Sequence, residues 1–117
     1  MTIEERIISY LNGALDEIQA YGEKPTNKNP DGNLFVVVEK TGVQRNDLLY
    51  TSTVAVQSYA PTLYQAADLD EDVRAVMFTL PDNLSEVSGI RLIGGGNFTD
   101  PSTRQPRYQS VFDVHHY

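Results

Sequence analysis

The chain has no cysteine and no tryptophan, and only nine basic residues stand against sixteen acidic ones in its 117 positions. Without cysteine there is no disulfide, no thiolate nucleophile and no cysteine zinc site, and the absence fits a reducing compartment. The deficit of bases leaves a formal charge of −7. An acidic chain repels phosphate backbones, and the bases here (Arg6, Lys24, Lys28, Lys40, Arg45, Arg74, Arg91, Arg104, Arg107) form no stripe, so sequence-independent nucleic-acid binding is not expected. No apolar run approaches the ~20 residues that span a bilayer. The opening Met1–Arg6 carries acids where a secretory leader needs bases. The expectation is a soluble protein made in the cytoplasm.

What is present suffices for a core: 40% of residues are hydrophobic, in the length range of one domain. Thr2 to Ala20 reads as a helix, with a capping box at Thr2 and Glu5 and an apolar stripe of Ile3, Ile7, Ile8, Leu11, Leu15 and Ile18. Gly13 inside it is read as tolerated, not as a close-packing point, and Gly22 is taken as the helix end. Glu23 to Asn33, with Pro25, Pro30 and Asp31-Gly32, is a loop. Leu34 to Thr41 is a β-branched run, so a strand covered on both faces over part of its length. Gly42 to Asp47 reads as a turn or long hairpin loop, and Leu48 to Tyr59 as an antiparallel second strand.

Pro61 suits the first position of a second helix, and Pro81 its stop. Leu63, Ala66, Ala67, Val73, Val76, Met77 and Leu80 make its buried stripe. Asp68, Asp70, Glu71 and Asp72 are expected largely on its exposed side. Val87 to Phe98 is a third strand with a flexible Gly94-Gly95-Gly96 end. Pro106 to Tyr117 is a fourth, with Tyr108, Phe112 and Val114 on one face and Gln109, Asp113 and His115 on the other. That strand is expected to pin the C-terminus in a sheet. The order α-β-β-α-β-β implies an α+β fold, two helices on one face of a four-stranded, mainly antiparallel sheet with uncovered edges.

The candidate chemistry is sparse. Asp68, Asp70 and Asp72 lack the sixth-position glycine (Val73 stands there) and twelfth-position glutamate (Thr79) of a calcium loop. His115 and His116 are adjacent on a strand, so they point to opposite faces and cannot share a metal. No serine sits in a nucleophile elbow. Gly94-Gly95-Gly96 lacks the Lys-Ser/Thr of a phosphate loop. No catalytic, cofactor or metal residue is assigned. Arg104 and Arg107, flanking Pro106, suit either solubility or pairing with acids on a neighbour. Open edges and long loops suggest an assembly part.

Several segments in order carry a resemblance. They are the opening helix, the strand Phe35–Gly42 (Phe-Val-Val-Val-Glu-Lys-Thr-Gly), the strand Thr53–Ala60 (Thr-Val-Ala-Val-Gln-Ser-Tyr-Ala), the helix Ala66–Leu80, and the ending Phe98–Pro101 with Pro106–His115. Together they resemble the tail terminator, or tail-completion, proteins of long-tailed bacteriophages. The resemblance implies a small α+β subunit that forms a hexameric ring on the finished tail tube, ends its polymerisation and offers the surface that docks to the filled head. The implied partners are other copies of the chain, the tail tube protein and the head–tail connector, first in the host cytoplasm and then in the virion neck. DNA would pass through the ring without specific binding, helped by an acidic lumen that Glu39 or Asp68, Asp70 and Asp72 would line. Exposure alone points to loops Gly22–Asn33 and Asn97–Arg107 for tube or connector contacts, through Asn29, Asp31, Asn97, Phe98, Asp100, Arg104 and Arg107. Strand edges and the first helix are left for subunit packing. Another neck or head-completion protein is the nearest rival, and a small dimeric enzyme or ligand-binding domain a more distant one.

Overall fold

The computed structural model describes residues 1–16, 18–24, 34–99, 101 and 104–117. The chain forms α1 (Ile3–Ala14), β1 (Gln19–Tyr21), β2 (Phe35–Asn46), β3 (Leu49–Tyr59), α2 (Leu63–Met77), α3 (Leu80–Asn83), β4 (Val87–Asn97) and β5 (Arg107–His116). The α+β class stands, but among the described residues the sheet has five strands in the order β1-β2-β3-β5-β4, and the helices number three. It is a mixed sheet: β1 runs parallel to β2, and the other neighbours are antiparallel. Among the described residues no helix is long and apolar enough to cross a membrane.

The start of α1 follows its sequence. Glu5 donates its N–H to Thr2 Oγ1 at 3.2 Å, and Thr2 donates its own N–H to Glu5 Oε1 at 2.9 Å, a reciprocal cap. That bond from the Thr2 N–H holds the Glu5 carboxyl below its ordinary pKa. The end of α1 does not follow. The helix stops at Ala14, because Leu15 turns extended at φ −100° and ψ 117°. The segment expected as its last turn becomes β1, which pairs Gln19, Ala20 and Tyr21 with Phe35, Val36 and Val37. Asn12 secures the reversal by accepting the Ala20 N–H at 2.7 Å. Gly13 has open space where a Cβ would stand, as tolerance requires.

β2 and β3 form a longer hairpin than expected. β2 runs through Gly42 to Asn46 with a bulge between Lys40 and Gly42, and only Asp47 and Leu48 make the turn. Asp47 takes φ 58°, the left-handed conformation that Asp tolerates in tight turns. Pro61 does not take the first position of α2, which begins at Leu63; Thr62 caps it, its hydroxyl accepting the Gln65 N–H at 3.1 Å. α2 ends at Met77, before Pro81, which sits instead in the first turn of α3. Leu63, expected in the stripe, is exposed.

Strand alternation gives the sheet two different faces. Val36, Val38, Val54, Val56, Phe112 and Val114 point to the helices and join Ile3, Ile7, Leu11, Leu69, Val73 and Met77 in one core. Each such side chain taken from water contributes about 1.5–3 kcal/mol. The other face has no helix on it among the described residues. It carries a small aromatic cluster, in which Phe35 stacks on Tyr59 at 4.6 Å and packs with Val37 and Tyr21. Beyond the cluster runs a polar ladder. Thr53 donates to Asp113 at 2.9 Å, Gln57 donates to Gln109 at 3.2 Å, and Thr51 bonds His115 at 2.8 Å.

Candidate assembly surfaces

The residues expected to meet partners fall into separate places. Asn97 ends β4, and its side-chain oxygen accepts the Thr99 N–H at 3.0 Å and hydroxyl at 2.7 Å. Phe98 follows it, exposed, with its N–H donating to the Arg107 carbonyl at 2.9 Å. Arg104 is exposed at φ 58°. Arg107 departs from the expectation of an outward-facing base. It is half-buried, donates from Nε to the Phe98 carbonyl at 2.8 Å and from Nη1 to the Tyr59 hydroxyl at 3.1 Å, and lies over the Tyr59 ring. Its guanidinium therefore braces the start of β5 from within. Asn29, Asp31 and Asp100 lie outside the described residues.

The acids expected to line a lumen, Glu39 or else Asp68, Asp70 and Asp72, lie on different faces of the sheet. Glu39 is exposed and faces away from the helices, opposite Ala55. Asp68 and Asp72 are exposed on α2, which packs on the other face of the sheet. Asp70 corrects the expectation of an exposed acidic side. It is 5% exposed, accepts the Ser110 hydroxyl at 2.7 Å and pairs with Arg74 at 3.3 Å. Burial raises its pKa above the ordinary carboxylate value, the Ser110 bond and Arg74 opposing the rise. Its position was legible: Asp70 stands four residues after Ala66 and three before Val73, so it falls on the buried stripe.

The histidines take opposite faces, as alternation demands. His115 bonds Thr51 on the open face, while His116 bonds Ser52 at 2.7 Å on the helix face and stacks on Tyr50. Two open clefts flank the helices. One, of about 480 Å³, lies between the start of α1, the β2–β3 hairpin and the chain end, lined by Ile3, Val43, Tyr50, His116 and Tyr117. Its charged side chains are already paired, Arg6 with Glu86 at 3.3 Å and Lys40 with Glu4 at 3.7 Å. The other, of about 440 Å³, runs beside β4, between Leu92, Gly95, Tyr108 and Arg74.

The sheet edges complete the picture. β4 pairs only with β5 among the described residues, so its outer side is unpaired along Val87–Asn97. At the other end β1 covers β2 only as far as Val37. Among the described residues the β2 edge from Val38 to Asn46 is therefore unpaired as well, and Glu39 through Leu48 are exposed. The unpaired N–H and C=O groups of such edges are ready templates for another strand. No known family model matches the chain, and no curated protein matches it significantly.

Proposed function

We propose that the chain is a ring-forming structural part of a long-tailed phage, a tail terminator. In this reading copies of the chain close into a ring, six in number, on the tip of the tail tube. The ring stops tube polymerisation and presents the surface that joins the filled head. The observation that supports it most is the pair of edges left unpaired among the described residues, one along β4 and one in β2 beyond the reach of β1, on opposite sides of one sheet. Two different patches that fit each other are what a head-to-tail cyclic contact requires, whereas a two-fold dimer uses one patch twice.

The same reading assigns the open sheet face, with Glu39 and its ladder of short hydroxyls and amides, to the channel through which DNA passes. Asp68 and Asp72 then face outward with α2. The tube or connector contacts fall to the segment from Asn97 to Arg104, with Phe98 exposed at its start. The test is tail length in a phage whose copy of the gene is deleted. Overlong or unjoined tails support a terminator. Normal tails with leaking heads would instead indicate a connector, the nearest rival.

A further inference from the structure

The tip of the β2–β3 hairpin is a fixed apolar knob. Asp47 and Leu48 make its two-residue turn, and Leu48 is 79% exposed. The turn is held from within. Arg45 donates from Nε to the Asp47 carbonyl at 2.9 Å and lies over the Tyr50 ring. Among the described residues the Asp47 carboxylate has no ion-pair partner. A knob already held in one shape loses little freedom on binding.

The cleft of about 440 Å³ between α2 and β4 has the complementary features. Leu92 and Ile93, both exposed, give it an apolar side, and Gly94–Gly96 add no side chains to fill it. On α2, Arg74 reaches the buried Asp70 through Nε only. Its two terminal nitrogens have no partner among the described residues, and Arg74 lines the cleft. A cleft of this size takes a small ligand, so it has room for the two side chains of the turn. A copy cannot fill its own cleft. β2 and β4 are three strand steps apart, about 14 Å. Leu92 lies opposite Phe112, and Phe112 opposite Val54, which is about 17 Å along β3 from Leu49.

We propose, on the ring reading above, that the subunit contact seats the hairpin tip of one copy in the α2–β4 cleft of the next. Leu48 enters against Leu92 and Ile93. Asp47 pairs with the free end of the Arg74 guanidinium, which then joins Asp70 of its own chain to Asp47 of the neighbour. A planar fork with five donors can serve two carboxylates at once. Tip and cleft lie on opposite margins of the sheet, so each copy gives one and receives one. That is the head-to-tail pattern that closes rings. No strand is added to β2, so β1 keeps its place there.

The absence of cysteine makes the contact testable by cross-linking. The Leu48→Cys, Ile93→Cys double variant is treated with a short bismaleimide where rings form, alone or on tube ends. It is expected to give a ladder of linked species ending at a closed ring, since each copy carries both halves. Each single variant is expected to stay unlinked. Linkage that stops at the dimer would indicate a reciprocal two-fold exchange and overturn the proposal. Efficient dimers from Leu48→Cys alone would mean tip against tip and overturn it too. Independently, Leu48→Ser should raise the concentration needed for assembly about tenfold or more, because the cleft is left unfilled. Asp47→Asn suits the same turn and should raise it about fivefold. In an Arg74→Gln background Asp47→Asn should add nothing, a comparison that cancels any effect of Arg74 on Asp70. Asp47 and Leu48 are exposed, and matching circular dichroism melts confirm that their variants fold. Wild-type rings on electron microscope grids together with no ladder and unchanged assembly of Leu48→Ser would refute this contact and leave the ring reading standing. The absence of rings, alone or on tube tips, would remove both.

Discussion

The Ser110 hydroxyl donates to Asp70 Oδ1 across 2.7 Å, joining α2 to β5 from inside the helix–sheet interface. Burial lifts Asp70 above the 3.8 of an ordinary carboxyl. A folded-state pKa above the unfolded one means that folding takes up a proton. The resulting stabilisation is full below about 3.8 and is lost as pH rises through the raised value. Asp70→Asn should flatten the pH dependence of stability in the mildly acid range. Asp70→Ala should cost about 1–3 kcal/mol, because the Ser110 hydroxyl loses its acceptor. Urea unfolding across the acid-to-neutral range checks both; identical pH slopes for wild type and Asp70→Asn would contradict the assignment.

The glycines of β4 are not equivalent. A Cβ on Gly95 would meet the Gln109 carbonyl oxygen at 2.5 Å, whereas one on Gly94 would have open space. The clash is with backbone of the paired strand, which cannot swing away. Gly95→Ala should therefore destabilise by about 1–3 kcal/mol, and Gly94→Ala should stay within about 0.5 kcal/mol of wild type. Thermal unfolding of the two variants side by side distinguishes a structural glycine from a merely flexible run.

Tyr10 ties α1 to α3. Its hydroxyl bonds Thr79 Oγ1 at 2.6 Å and accepts from Asn83 Nδ2 at 2.9 Å. Tyr10→Phe keeps the ring packing and removes both bonds, so it should lower stability by about 0.5–1.5 kcal/mol. No change in the melting temperature would mean that solvent replaces these bonds at no cost.

The sequence carried the long periodic signals well and the short ones poorly. The stripe of α1, the alternation of β3 and β5 and the antiparallel hairpin were legible because each repeats over two or more periods. β1 was not, because three residues hold less than two strand periods and Ile18 also satisfies helical spacing. Only its partner in β2, far along the chain, decides the matter. Gly42 and Asn46 look like loop residues, which sets the expected turn too early, yet ladder pairing carries the strand through both to a turn at Asp47-Leu48. The local sequence Gln105-Pro106-Arg107 suggests an outward-facing base. Its role inside the subunit depends on the distant Tyr59, which no local pattern announces.

The central claim is self-association into a closed ring. Native mass spectrometry of the purified chain, paired with negative-stain imaging alone and with polymerised tube, addresses it directly. The account predicts one cyclic species of six copies with a central hole, free in solution or seated on tube ends. Monomers or two-fold dimers under every condition, with tube ends left bare, would contradict it.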